Sequence, residues 1–120
     1  MLNLDTHILL YALADDLTPR ESAQLSKDSW SISAIVLWEI AKLSELGRVE
    51  IDLDSPELAR TLAGIQTWPL TFDICLAIQT LDFDSDPADE IIAATSIVHR
   101  VPLVTRDRRL RRSKRVPLAI

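Results

Sequence analysis

The stretch SDPADEIIAATSIVHRVPLVTRD, residues 85–107, carries the pattern that decides the fold of this 120-residue chain. It begins with an N-cap candidate, Asp86, followed by Pro87 at the first position of a long helical run. A short buried strand, PLVT, follows that helix, and Asp107 stands two residues beyond the strand. A helix that leads directly into a buried strand is the repeating step of a chain whose parallel sheet is covered by helices.

The rest of the chain predicts the same alternation of strands and helices. Strands are predicted at MLNL (1–4), at WSIS (30–33), which is also compatible with a turn, and at VPLAI (116–120), while RVEIDL (48–53) resembles a short extended segment. Helices are predicted at 6–16, from the N-cap Ser33 to the residue before Gly47, at 55–65 and at 73–83. With two glycines and no hairpin dipeptides, this pattern predicts one α/β domain, residues 1–120, around a parallel sheet.

The composition is typical of a folded protein in a reducing compartment. Hydrophobic residues make up 48% of the chain and charged residues 26%, which suits one globular domain. A single cysteine, Cys75, excludes an internal disulfide and favours the cytoplasm. The N-terminus lacks the basic start of a signal peptide, and no apolar run approaches the roughly 20 residues needed to cross a bilayer. We therefore expect no membrane partner.

Four acids stand where the predicted fold would bring them together. Asp5 directly follows the first strand and Asp107 follows PLVT, so both should emerge at the carboxyl edge of the sheet, where ligands bind. Glu39 lies on a largely apolar helix face, and Asp89 opens the helix of the quoted stretch. Each acid has an ordinary alternative role: an N-cap for Asp5 and Asp107, a capping box for Asp89, and a Lys42 partner for Glu39. As a set, however, they would repel one another unless a cation neutralised them.

The residue types indicate which cation this would be. All-oxygen carboxylate clusters select hard ions such as Mg²⁺ or Mn²⁺, whereas zinc prefers histidine and cysteine. His7 and His99 have no zinc-binding spacing and are predicted to be packing or surface residues. A Mg²⁺ ion held by acids and water typically serves phosphate chemistry, because it polarises a phosphoryl oxygen and lowers the pKa of the attacking water. Hydrolysis of a phosphodiester is the reaction that fits.

Four segments resemble, in order, the successive signatures of PIN-domain proteins, particularly the VapC-type toxins of bacterial toxin–antitoxin pairs. They are LDTHILLYAL, SISAIVLWEIAKLSELGRVEI, SDPADEIIAATSIVHRVPLVTRD and the closing VPLAI. The resemblance implies a PIN-like α/β/α sandwich with a central parallel sheet. It also implies an endoribonuclease that depends on Mg²⁺ or Mn²⁺, a cognate VapB-type antitoxin that blocks the site, and a homodimer.

The resemblance also assigns roles to individual positions. The family's catalytic and metal-binding acids fall on Asp5, Glu39, Asp89 and Asp107, and the hydroxyl residues that support or orient them fall on Thr6, Ser33 and Thr105. Many relatives read Asp-Pro-Phe-Asp-Arg at the helix start, where this chain has Glu90 in place of the basic residue. That difference puts a cationic contact at this position in doubt and leaves Asp86 as a competitor of Asp89.

The positive charge of this acidic chain is gathered around Asp107. Seven of the 13 basic residues lie in the basic segment, residues 106–115, whose net charge is +6. Subtracting the segment from the totals of 13 basic and 18 acidic residues leaves six and 17 in residues 1–105, a net charge of −11. We predict that this segment draws an RNA backbone toward the acids, and the RNA-binding candidates are Arg106, Arg108, Arg109, Arg111 and Arg112. A solvated helix, or a surface for an acidic partner, is the alternative.

Two other functions are compatible with parts of the pattern. A phospho-acceptor receiver domain also has about this length and acids at strand ends, but it places an acidic pair after the first strand, where Asp5 stands alone. A catalytically silent PIN-like module that only binds RNA or a protein partner is the second alternative. All four acidic positions are filled, so nothing in the sequence indicates inactivation.

Overall fold

Short parallel strands alternate with helices along the chain. The computed structural model describes residues 1–119, and within them it contains four strands and seven helices. The strands are β1 (Leu2–Leu4), β2 (Trp30–Ser33), β3 (Gln66–Trp68) and β4 (Leu103–Val104). The helices are α1 (Thr6–Leu13), α2 (Pro19–Leu25), α3 (Ala34–Glu45), α4 (Pro56–Ala63), α5 (Phe72–Ile78), α6 (Pro87–His99) and α7 (Arg108–Arg111).

The sheet has the strand order β3-β2-β1-β4, and all of its paired strands run parallel. In the central strand, Asn3 is in register with Ser31 of β2 on one side and Leu103 of β4 on the other. The carboxyl ends of β1 and β4 therefore lie side by side. Because Asp5 follows β1 and residues 105–107 follow β4, the predicted meeting of these segments at one sheet edge is confirmed.

The core lies between the sheet and the flanking helices. Leu4, Ile32 and Leu103 of the sheet are fully or almost fully buried, as are Ile8 of α1 and Ile92 of α6. In α6 the small side chains of residues 93 and 94 are also fully buried and let the helix approach its neighbours closely. The side chain of Asn3 reaches α6, where its Nδ2 donates to Ser96 Oγ at 2.9 Å. The close packing of α6 on the sheet thus holds Asp89, in the first turn of this helix, in place.

Several predicted boundaries differ from the structure. The helix predicted at 6–16 ends at Leu13, and a second helix, α2, follows it, with a capping box between Thr18 and Glu21. The segment 48–53 forms no strand in the part of the chain that the structure describes, whereas β3, which was not predicted, lies at the sheet edge. Of the predicted last strand, 116–120, Leu118 makes a single parallel bridge with Leu103, and Ile120 lies outside the described residues.

The three tryptophans differ in their surroundings. The Trp30 indole donates to the backbone oxygen of Leu25 at 2.8 Å, and Trp68 stacks on His99 with ring centroids 3.9 Å apart. Trp38, in contrast, is 58% exposed on α3. Among residues 1–119, the structure has no helix with the length and apolar character to span a bilayer.

Candidate functional site

Asp5 is a buried carboxylate fixed by two hydrogen bonds. It sits at the N-cap of α1, directly after β1, and only 5% of its surface is exposed. The Thr105 hydroxyl donates to Asp5 Oδ2 at 2.6 Å, and the Thr6 N–H donates to Oδ1 at 2.8 Å. Burial raises the pKa of Asp5, although these hydrogen bonds and nearby His7 act in the opposite direction. The Asp5 carboxylate is therefore held in one orientation at the end of the central strand.

Thr105 joins Asp5 to Asp107. Its Oγ1 donates to Asp5 and accepts the Asp107 N–H at 3.0 Å. Asp107 caps α7, where its Oδ1 accepts the N–H groups of Arg109 at 2.8 Å and Leu110 at 3.2 Å. Within residues 1–119, Asp107 Oδ2 makes no hydrogen bond, so this oxygen is available to a ligand. The N-cap role predicted as an alternative for Asp107 is thus real and does not occupy the whole carboxylate.

Glu39 is joined to the same site through Thr6. The Thr6 hydroxyl donates to Glu39 Oε1, while the Thr6 backbone N–H donates to Asp5. The suggestion that Lys42 pairs with Glu39 is wrong, because Lys42 Nζ lies 3.4 Å from Glu45 Oε1 on the exposed side of α3. One threonine therefore positions carboxylates from two different elements.

The pKa of Asp89 is affected by all three of the other acids. It is half-buried in the first turn of α6, and the Ser85 hydroxyl donates to its Oδ2 at 2.9 Å. Burial, and then repulsion by Asp5, Asp107 and Glu39, raises the pKa of Asp89 to about 6. Asp89 also lines one cleft with Asp107, and Thr105 and Thr6 link Asp107 and Glu39 to Asp5 by hydrogen bonds. The structure therefore brings together the acids that the sequence predicted to converge.

The competitor residue Asp86 is placed differently. It occupies the N-cap position of α6, but its side chain makes no capping hydrogen bond, and it is exposed. Asp89 is held by Ser85 and is affected by the other acids, so these contacts favour Asp89 as the acid of the site.

Neutral hydroxyl groups orient three of the four acids. Thr105, Thr6 and Ser85 donate to Asp5, Glu39 and Asp89, respectively. Ser85 was not predicted, because the sequence shows it only as the residue before an N-cap. Ser33 accepts the Ile35 N–H at 3.3 Å as the N-cap of α3, so in the described residues it supports the helix that carries Glu39 rather than the carboxylate itself.

The donor set is suitable for a hard cation that keeps much of its water. Within residues 1–119, no three His, Cys, Asp or Glu side chains are arranged to hold one ion directly, so the acids do not form a closed shell. Mg²⁺ is usually bound through one or two carboxylates and retains several waters. Asp5, oriented by Thr105, and Asp89, half-buried in the first turn of α6, are carboxylate donors of the kind that such an ion takes.

Part of the basic segment forms one wall of a cleft beside these acids. We call this the basic cleft; it has a volume of about 460 Å³ and is lined by Ser85, Asp86, Asp89, Asp107, Arg108, Arg109 and Arg112. Arg109 donates to the backbone oxygen of Asp84 at 2.8 Å, whereas the exposed guanidinium groups of Arg108 and Arg112 make no hydrogen bond or ion pair within residues 1–119. Cationic side chains thus face two of the four acids across one cleft.

Two arginines of the predicted RNA-binding set lie elsewhere. Arg111 is outside the lining of the basic cleft and donates to the backbone oxygen of Thr105 at 3.2 Å. Arg106 forms an ion pair with Glu21, with Nη2 and Oε1 2.7 Å apart. The contact of Arg106 with RNA stays a prediction, which this ion pair disfavours because a carboxylate already engages the guanidinium.

An apolar groove borders the site on the side of Glu39. This Trp38 groove has a volume of about 500 Å³ and is lined by Ile35, Trp38, Glu39, Asp86, Pro87, Ala88 and Ile91. Asp86 also lines the basic cleft, so the two depressions meet at the start of α6. An exposed tryptophan in such a groove is typical of a surface that another molecule covers.

Comparison with known proteins identifies the class to which this fold and site belong. A model of the PIN domain family matches residues 3–116, and the chain belongs to this family. Its PIN-like α/β/α fold confirms the sandwich predicted from the sequence and sets aside the receiver-domain alternative.

The curated relative Ribonuclease VapC22 of Mycobacterium tuberculosis (strain ATCC 25618 / H37Rv) is 32% identical over 114 residues, which cover 90% of this chain and 88% of the relative. The fold is also similar to a structure of VapBC2 from Rickettsia felis bound to a promoter DNA fragment, with a TM-score of 0.74, 19% identity and coverage of 98% and 97% of the two chains. A toxin–antitoxin complex from Klebsiella pneumoniae gives a TM-score of 0.72 at 19% identity, covering 100% of this chain and 98% of the other. At this identity, the two structural likenesses concern the fold alone.

The pKa of Asp89 predicts how the stability of the metal-free protein depends on pH. The folded protein keeps the Asp89 proton up to about pH 6, whereas the unfolded chain releases it near the ordinary value of 3.8. Between these values the folded state binds more protons, so the contribution of Asp89 to the free energy of unfolding falls as the pH rises through this window. Urea unfolding of wild type and Asp89→Asn across this window should show a flatter dependence in the variant. Asp52→Asn, in the turn before α4, is the control and should follow wild type, and equal slopes for wild type and Asp89→Asn would contradict the prediction.

Proposed function

We propose that this protein, as a single PIN domain over residues 1–120, is an endoribonuclease dependent on Mg²⁺ or Mn²⁺ and acts as the cytoplasmic toxin of a VapBC-type pair. The observation that carries the proposal is the arrangement at the carboxyl edge of the sheet, where Thr105 and Thr6 link Asp5 to Asp107 and Glu39, and Asp107 lines one cleft with Asp89. Membership of the PIN family and the likeness to a VapC ribonuclease support the same reaction class.

In the proposed reaction, Asp5 and Asp89 would hold the ion, and Glu39 and Asp107 would act on it directly or through water. The bound ion supplies Lewis-acid polarisation of a phosphoryl oxygen and a lower pKa for the attacking water. Thr105 and Thr6 keep the Asp5 and Glu39 carboxylates oriented, which lowers the reorganisation needed when the substrate enters. No covalent nucleophile is required, and products with a 5′-phosphate and a 3′-hydroxyl are expected.

The substrate is proposed to lie along the basic cleft. The acids alone would repel a phosphodiester backbone, but Arg108 and Arg112 present unpaired guanidinium groups beside Asp107 within the described chain. Contacts to phosphates hold a backbone in place without reading its sequence. This arrangement favours RNA bound through its backbone across the acid cluster.

The Trp38 groove is the surface that we propose for the antitoxin. A segment laid in this groove would contact Trp38 and Ile35 and cover Glu39, which would block the site. We also propose a homodimer, with Leu70, Phe72 and Leu76 near and on α5 as its candidate apolar face, because they are 50%, 73% and 46% exposed.

The first test of the proposed function is cleavage of a labelled structured RNA in the presence of Mg²⁺ or EDTA. Asp5→Asn removes the negative charge of the central acid but keeps its size, so activity should fall at least about 100-fold, the upper range for changes to the groups that only orient ligands. Asp54→Asn, in an exposed turn outside the linings of the basic cleft and the Trp38 groove, serves as the control, and its activity should stay near that of wild type. The rate of product formation on denaturing gels measures both.

Two outcomes would reject this proposal. Cleavage that persists in EDTA would exclude the metal-dependent reaction, and full activity of Asp5→Asn would remove Asp5 from it. RNA binding without any turnover by the wild type would instead favour the silent PIN-like module.

The basic cleft makes a separate prediction about salt. If Arg108 and Arg112 contact phosphates, the double variant Arg108→Gln/Arg112→Gln should weaken RNA binding and reduce the slope of log K against log [salt] by about 0.7 for each lost contact to a single strand. Fluorescence anisotropy with catalytically inactive Asp5→Asn as the background measures the slope. The control is Lys27→Gln/Arg48→Gln, which removes the same charge outside the basic cleft. An equal change of the salt slope in both double variants would show that Arg108 and Arg112 act only as general surface charge.

The Trp38 groove predicts an effect on antitoxin affinity. The antitoxin is taken as the small protein encoded beside this chain, and Trp38→Ala should weaken its binding at least about tenfold, since a buried interface tryptophan is commonly an energetic hot spot. Leu46→Ala, at the exposed end of α3, is the control and should bind normally. Sedimentation velocity with the labelled antitoxin measures affinity and also gives the mass that tests the homodimer. Unchanged affinity of Trp38→Ala would place the antitoxin elsewhere.

A further inference from the structure

A bidentate ion pair involves the residue that lies between two members of the candidate site, Thr105 and Asp107. Arg106 stands between Thr105 and Asp107, and its Nε and Nη2 donate to Glu21 Oε2 and Oε1 at 2.8 and 2.7 Å. The two residues are 85 positions apart, so the pair joins α2 to the segment that follows β4. Parallel donation to both carboxylate oxygens is the strongest geometry available to an arginine and fixes direction as well as distance.

Both partners of the ion pair make further contacts. The Arg106 guanidinium lies over the Tyr11 ring, 3.8 Å from its centroid, and Nη2 also donates to the backbone oxygen of Asp16 at 3.2 Å. Glu21 is buried, with 8% exposed, and its Oε1 accepts the Thr18 N–H at 2.9 Å. We call Arg106, Glu21 and Tyr11 the clamp. It ties α1, the loop after it and the start of α2 to one residue of the candidate site.

The segment held by the clamp has little regular structure of its own. Residues 105–107 connect a two-residue strand, β4, to a four-residue helix, α7. Three residues must nevertheless present the Thr105 hydroxyl to Asp5 at 2.6 Å and the Asp107 N–H to Thr105 at 3.0 Å. Their orientation therefore depends on side-chain anchors, and Arg106 is the anchor in the middle of the segment.

The clamp is poorly suited to bind RNA. Glu21 cancels the charge of Arg106. The hydrogen bonds from Arg106 lower the pKa of Glu21 to about 2, against the opposing effect of burial, so both partners stay charged at neutral pH. A cation already paired with a buried carboxylate adds little attraction for a phosphate at the surface.

We propose that Arg106 and Glu21 are positioning residues for the nuclease reaction, acting through Thr105 on Asp5 and Asp107. The inference rests on the proposed function and deepens it, because it assigns two further residues to the same reaction. Loss of the bidentate ion pair lets residues 105–107 reorient. Asp5 then loses the hydrogen bond from the Thr105 hydroxyl, while the arginines of the basic cleft remain in place.

The test separates positioning from binding. Arg106→Lys keeps the positive charge but loses the bidentate hydrogen bonding, and Glu21→Gln keeps the side-chain shape but loses the negative charge. In each variant we expect kcat to fall about 10- to 100-fold, as for other groups that orient metal ligands, with KM and the salt slope of RNA binding unchanged. The double variant should be no slower than the worse single variant, because both changes remove the same interaction. Arg20→Lys, on the exposed neighbour of Glu21, is the control and should match wild type.

Hydrogen exchange provides a readout that does not need activity. The Asp107 amide donates to Thr105 Oγ1, so it should exchange faster in Arg106→Lys and Glu21→Gln but not in Arg20→Lys, with the helical amides of buried Ile40 and Ile92 still protected as evidence of an intact core. If wild type cleaves no RNA, the proposed function has failed, and the Asp107 amide alone then decides whether the clamp orders this segment.

Three results would overturn the inference. A higher KM and a flatter salt slope at unchanged kcat would make Arg106 an RNA contact. Wild-type kcat in both variants would remove the clamp from the reaction. Unchanged exchange of the Asp107 amide would show that the segment is ordered without it.

Discussion

The hydrogen bond from the Thr105 hydroxyl to Asp5 is the interaction on which the candidate site depends. It joins the ends of β1 and β4, and the same hydroxyl accepts the N–H of Asp107, so two acids share one anchor. The geometry is available because Asn3 and Leu103 are in parallel register, which places the residues after both strands at one level. A shift of this register would move residues 105–107 along the sheet edge and separate the hydroxyl from its carboxylate.

The site is assembled from segments that are remote in sequence but adjacent at one edge of the sheet. Asp5 and Asp107 come from strand ends, Glu39 from the middle of α3 and Asp89 from the first turn of α6. Packing of α6 against the sheet, through fully buried Ile92 and its small neighbours, brings Asp89 to the acids. The basic cleft, which Asp89 and Asp107 line, and the Trp38 groove, which Glu39 lines, share Asp86 in their linings. The fold thereby offers separate surfaces for a polyanion and for an apolar segment.

Sequence patterns predicted the parts of this arrangement that depend on local order. Alternating strands and helices gave the parallel sheet, and the rule that ligands bind at strand ends gave Asp5 and Asp107 their common edge. Glu39 stood out because it lies on an apolar helix face. Its partner Thr6 was identified through family resemblance only, since no local pattern joins residues 33 positions apart.

The errors have equally specific causes. The capping box of Thr18 and Glu21 marks the start of α2, but residues 19–25 contain too few apolar side chains to show helical spacing. Strand β3 has an exposed and half-buried pattern at the sheet edge, so it lacks the apolar run that marks a central strand. The ion pair of Arg106 has no sequence signal, because a run of arginines does not reveal which member meets a carboxylate 85 residues away.

The three hydroxyl donors have a consequence for how the site balances charge. An arginine or lysine in their place would also orient a carboxylate, but it would cancel its charge and compete with an incoming cation. Threonine and serine hold Asp5, Glu39 and Asp89 in position while leaving their negative charge intact. The carboxylates of the folded chain therefore repel one another, and packing must hold them together against this repulsion. A cation that reduces the repulsion also stabilises the native state by mass action, which couples ion occupancy to resistance to unfolding.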